Sequence, residues 1–69
     1  MTAMMSELII SEVLFAAEDS SVLDVDRTAA RLKSTRPSEP VTLEEIAARL
    51  VDEATKRRVA IMLGHMHSA

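Results

Sequence analysis

Cysteine, tryptophan and tyrosine are absent from this chain, and Phe15 is its one aromatic residue. Without thiols there is neither a disulfide framework nor a thiolate metal site, so the staples on which many small domains rely are missing. A core without aromatics has to be assembled from Leu, Ile, Val, Met and Ala. One glycine and two prolines leave few turn residues for a multi-stranded sheet, whereas Ala, Leu, Glu, Arg and Met are strong helix formers. No apolar stretch approaches the ~20 residues needed to span a bilayer. The apolar N-terminal run is broken by Glu7 and Glu12 and lacks the basic leader of a secretory signal. These absences lead to the expectation of an all-α, cytoplasmic protein that does not enter a membrane.

What is present is a single domain, residues 1–69, with 48% hydrophobic and 28% charged residues, the composition of an ordered globular chain rather than a disordered one. Hydrophobic spacing divides it into helices at about 2–17, 23–34, 42–53 and 55–65, with a loop at 35–41. Thr2 or Ser6 can cap the first helix, and Ser21 or Asp24 the second. Pro37 and Pro40 each push the preceding residue out of helical geometry and make the loop. Thr42-Leu43-Glu44-Glu45 is a capping box, flanked by Val41 and Ile46 as a hydrophobic staple. The third helix keeps one apolar stripe through Leu43, Ile46, Ala47, Leu50, Val51 and Ala54.

The two ends differ from that one-sided pattern. Leu8 to Ala17 and Val59 to Leu63 are apolar in nearly every direction that a helix turning about 100° per residue can face. A domain this small buries only about 60% of the surface of its unfolded chain, so two such segments are hard to hide within one copy. The expectation is a compact bundle of three or four short helices completed by dimerisation. Leu8, Ile9, Ile10, Val13, Leu14, Phe15, Val59, Ile61, Met62 and Leu63 are the candidates for core and interface. Gly64 marks the end of the fourth helix. A five-residue apolar run also suits a buried strand, if residues 8–10 or a second chain supply its ladder.

Charges follow the helix dipoles, acidic residues first and basic ones later, with Glu45 and Arg49, Asp52 and Lys56, and Glu53 and Arg57 spaced for i, i+4 pairs. The net charge of −3 opposes broad phosphate binding. Thr42 to Leu50, TLEEIAARL, nevertheless resembles the first helix of bacterial helix-turn-helix domains. That resemblance implies a DNA-binding protein using residues 42–63, with Lys56, Arg57 and Arg58 on the nucleic acid. The chain departs from the family pattern in two places: Val51-Asp52-Glu53 fills the turn without glycine, and Arg57 or Arg58 stands where a buried aliphatic belongs.

Little chemistry is visible. His65 and His67, near Met62 and Met66, could present imidazoles to a metal only from an extended segment, and no third ligand lies nearby. There is no cysteine nucleophile or glycine-rich phosphate loop, and the serines sit in caps and loops. The reading is a protein without catalytic centre, cofactor or metal. It is a small interaction or regulatory module, a homodimer that can also engage a protein partner, with DNA binding as the alternative.

Overall fold

A computed structural model describes residues 1–63 and contains three helices: α1 (Ala3–Asp19), α2 (Val25–Thr35) and α3 (Leu43–Lys56). Two short strands, β1 (Leu23–Asp24) and β2 (Ile61–Met62), complete the order α1-β1-α2-α3-β2. Each helix begins where a side-chain oxygen meets its free backbone donors. Thr2 accepts from the Met5 amide at 3.2 Å and Asp24 from the Arg27 amide at 3.2 Å. At α3 the capping box is complete, with the Glu45 amide donating to Thr42 Oγ1 at 3.1 Å and the Thr42 amide to Glu45 Oε1 at 2.9 Å.

The first and third helices end alike. At the end of α1, Ser20 turns left-handed (φ 54), its amide donates to the Ala17 carbonyl, and the Ser21 amide reaches back to Ala16 at 3.0 Å. At the end of α3, Arg58 is left-handed (φ 57), its amide donates to Thr55, and the Val59 amide reaches Ala54 at 2.8 Å. Both are Schellman turns without the glycine that usually occupies the left-handed position. The same sequence offset that separates Ser20 from Arg58 also separates Leu23 from Ile61, and these two are partners in the parallel β1–β2 pair. The chain therefore contains two helix–turn–strand units of one build, although their sequences show no repeat. The Leu23 amide donates to the Ala60 carbonyl at 2.8 Å, and α2 with α3 forms the crossover that parallel strands require.

The expected fourth helix at 55–65 is corrected by this arrangement over its described part. Residues 55 and 56 belong to α3, Arg58 reverses the chain, and the apolar run that follows enters β2. Val59 and Ile61 are β-branched, and an uninterrupted apolar run suits a parallel strand. The ladder partner is neither residues 8–10 nor a second chain but β1, which takes Leu23 and Asp24 out of the expected second helix. Gly64, and with it the expected end of that helix, lies outside the described residues, as do His65, Met66 and His67.

The core is aliphatic throughout. Met5, Ile9, Val13 and Ala16 come from α1, Leu23 from β1, Val25, Ala29 and Leu32 from α2, Val41 from the loop, and Ile46, Leu50 and Ala54 from α3. Leu8, Ala47, Val51, Val59 and Ile61 pack against it, half-buried. A Cα radius of gyration of 11.4 Å is close to the ~11 Å of a compact domain of this length. Replacing Ser20 by Gly should raise unfolding stability by about 0.5–1 kcal/mol, and Ser20→Val should lower it by a similar amount or more, since a left-handed backbone penalises a Cβ and most of all a branched one. Urea unfolding followed by circular dichroism measures both.

Candidate functional site

The surface feature that distinguishes this chain is the outward side of α1. Of its residues only Met5, Ile9, Val13 and Ala16 are buried, a stripe at spacings of four, four and three. Along the opposite side run Glu7, Ser11 and Glu18, all exposed, and apolar residues flank this polar line on both edges. One flank carries Ala3, Ile10, Leu14 and Ala17, the other Met4, Leu8 and Phe15. Phe15 is 64% exposed and Leu14 45% exposed. Val22, just beyond the helix, is 56% exposed, and at the other end of the chain Met62 and Leu63 are exposed as well.

The ten residues expected to serve core and interface together divide into three groups. Ile9 and Val13 are fully buried and belong to the core alone; Leu8, Ile10, Val59 and Ile61 are half-buried; Leu14, Phe15, Met62 and Leu63 face outward. Met4 and Val22 are further outward-facing apolar residues, outside that set. Met4 is separated from buried Met5 only by the phase of the helix, which the pattern of α1 left undetermined because both flanks are apolar. Val22 has no counterpart signal, because its exposure follows from the left-handed turn at Ser20.

Between the ends of α1 and α3 lies a cavity of about 310 Å³, lined by Ala16, Ala17, Ser20, Ser21 and Val22 from one unit and by Arg57, Arg58, Val59 and Ala60 from the other. The closing carbonyls of both helices lie at this end, and the arginines stand where cations offset such negative dipole ends. A second groove of about 300 Å³ between α2 and α3 is floored by Ala29, Ala30 and Ala47 and edged by Asp26, Leu43 and Glu44. Neither cavity pairs a nucleophile with a base, and among the described residues no group of three His, Asp or Glu side chains could hold a metal.

The basic cluster is largely engaged. Lys56 Nζ lies 3.3 Å from Asp52 and 3.9 Å from Glu53, and Arg57 is hydrogen-bonded to Glu53. Arg58 is exposed, without a carboxylate partner among the described residues. The helix-turn-helix resemblance implies a second helix after the first, and residues 57–63 form none. Of the expected i, i+4 pairs, Asp52–Lys56 and Glu53–Arg57 are formed. Glu45 is not paired with Arg49; it closes the capping box, and Arg49 reaches forward to Glu53 at 3.2 Å.

Two buried acids hold the frame of this surface. Glu53 is ringed by Arg57, Arg49 and Lys56, and the Arg57 hydrogen bond above all holds its carboxyl below the ordinary value of 4.5, against the opposing effect of burial. Glu39, in the proline loop, accepts from the Thr2 hydroxyl and pairs with Arg36 at 3.4 Å, while Lys33 donates to its carbonyl at 2.9 Å. The Thr2 bond is the main reason its carboxyl is lowered from 4.5. The one Thr2 hydroxyl thus caps α1 and ties its start to the α2–α3 loop. On the far side of α1, Arg31 grips Glu12 through both carboxylate oxygens, at 2.8 and 3.0 Å.

Comparisons with protein-family models, curated proteins and solved structures give no match for this chain. Among the described residues no helix is long and apolar enough to cross a membrane.

Because both acids are lowered in the folded chain, the unfolded chain binds more protons, and stability rises with pH through the carboxylate range. The unfolding midpoint should hold steady near neutrality, begin to fall as the pH approaches 4.5, and keep falling until Glu39 and Glu53 protonate in the folded state. Urea midpoints measured from pH 7 to 3 test this, and Glu39→Gln with Glu53→Gln should flatten the slope.

Proposed function

We propose that this protein is a small, non-catalytic interaction module of the cytoplasm that self-associates as a homodimer through the apolar surface of its terminal elements, and so regulates or scaffolds a protein partner. The observation that carries the reading is the concentration of large exposed apolar side chains on α1 and on the segments beside it, with Phe15, Val22, Leu14 and Met62 all at or above 45% exposure. Scattered apolar residues are normal on any surface, whereas a helix that is apolar along both edges of its outer face marks a binding surface. The two cavities add no reactive pair to it.

A dimer does not require more burial than the chain can provide. A standard interface takes about 800 Å² from each partner, roughly a sixth of the 4534 Å² that this chain exposes. The terminal segments contribute as one surface because β1 and β2 are paired, so Val22 and Ala60 line the same cavity.

Sedimentation equilibrium at micromolar to millimolar concentration should give the mass of two chains. Leu14→Glu should weaken the dimer at least tenfold, about 1.4 kcal/mol, while leaving helix content unchanged, because Leu14 lies outside the core. Val13→Glu does not serve this purpose, since Val13 is fully buried and a charge there unfolds the protomer. A wild-type chain that stays a folded monomer across that range would overturn the proposal.

A further inference from the structure

The outer arc of α1 joins an apolar flank to an acidic margin. At about 100° per residue, the order round the helix is Leu8, Phe15, Met4, Ser11, Glu18 and Glu7, all within roughly 100° of arc. Phe15 is 64% exposed and Met4 48%, Leu8 is half-buried, and the three polar residues are exposed. The helix carries no lysine or arginine. Glu12, on the inner side of the flank, is matched by Arg31, whereas Glu7, Glu18 and Asp19 have no ion-pair partner among the described residues. Glu7 stands towards the start of α1 and Glu18 and Asp19 at its end, so the helix is negative at both ends.

That charge selects among the molecules able to cover the flank. A phosphate-rich surface, whether nucleic acid or anionic lipid, meets it with like charge. So does α1 of a second copy, which sets Glu7 against Glu18 when antiparallel and against Glu7 when parallel. We infer that the Met4–Leu8–Phe15 flank takes a basic amphipathic helix of a different protein, whose lysine or arginine side chains meet Glu7 and Glu18. This deepens the interaction-module reading and rests on it, by giving the protein partner its chemistry, and it leaves the Ile10, Leu14 and Ala17 side of α1 to the homodimer. Glu7 and Glu18 lie three turns apart, about 17 Å along the helix, so the partner's cations are spaced by the same three turns, with aliphatic residues between them at helical intervals. With acids at both ends, charge does not fix the direction in which the partner runs. The thioether of Met4 and the ring of Phe15 are side chains suited to receiving such a helix.

A fluorescent amphipathic peptide of leucine and lysine, titrated with the full chain and followed by anisotropy, tests the inference. It should bind saturably, and the same peptide with glutamate in place of lysine should not. Phe15→Ser should weaken binding by about tenfold and Glu18→Lys by about fivefold, whereas Glu44→Lys, the same change of charge on α3, should alter it by less than about twofold. All three positions are exposed, so circular dichroism should show wild-type helix content in each variant. Equal losses from Glu18→Lys and Glu44→Lys, binding of the glutamate peptide, or no binding of the lysine peptide overturns the inference. Sedimentation equilibrium with and without the peptide keeps the homodimer reading separate. A wild-type monomer that binds the peptide overturns the homodimer and supports the basic partner, and a dimer that ignores the peptide does the reverse. A dimer that the peptide dissociates places a second copy on this flank and overturns the inference.

Discussion

The arrangement of the whole chain depends on two left-handed residues. Ser20 and Arg58 stop α1 and α3 and turn the backbone so that the segments leaving both helices run side by side in one direction. Those turns redirect the backbone after Asp19 and after Lys56, and Leu23 and Ile61, which follow them at the same offset, meet as partners. The hydrogen bonds that the turns supply satisfy carbonyls that a helix end otherwise leaves to water. The strands they create are only two residues long, far too short to stand alone. They persist because Leu23 and Ile61 are at once sheet partners and members of the aliphatic cluster.

This is also where the sequence was least legible. The capping box at Thr42, the proline loop and the one-sided stripe of α3 follow from side-chain chemistry acting within four residues, and each stands where the pattern puts it except that Leu43, the first residue of the stripe, is exposed. The second strand does not, because its signal is the absence of helix. Glycine would ordinarily announce a left-handed helix end, and here serine and arginine do that work, while the single glycine, Gly64, lies beyond the described residues. The partner strand is hidden for a different reason: Asp24 is both the second residue of β1 and the cap of α2, so strand and helix overlap within one short segment. Helix phase in α1 was the remaining ambiguity. With apolar residues on both flanks, only packing against α2 and α3 decides that Met5, Ile9 and Val13 face inward and Met4 and Leu14 do not.

Charge was legible in pairing and illegible in depth. The i, i+4 spacing identifies Glu53 with Arg57, but nothing in the spacing says that the carboxylate is nearly removed from solvent and shared with Arg49 and Lys56. Glu39 had no signal at all, since the threonine that bonds it lies at the far end of the chain. Both acids sit where elements distant in sequence meet or end, Glu39 between the start of α1 and the proline loop, Glu53 at the last turn before Arg58. A buried carboxylate leaves a costly unpaired charge if its partners depart.

The apolar exterior follows from the same economy of elements. A chain of 7.6 kDa is expected to expose roughly 4,300 Å² when folded, and this one exposes 4534 Å², so it is folded about as tightly as an ordinary monomer of its mass. The quantity of surface is normal and its chemistry is not. With three helices, one layer of contacts exhausts the neighbours available to α1, which has α2 and α3 on its inner side and none on its outer side. Leucine, isoleucine and phenylalanine on that outer side cannot be accounted for by helix propensity, which glutamate, lysine or alanine would serve as well. Leu14 and Phe15 stand outside the aliphatic cluster, and they form part of the surface that the proposed contact with a second molecule would cover. Between the two flanks the polar line of Glu7, Ser11 and Glu18 carries negative charge towards both ends of the helix, so a partner lying along it gains from positive charge.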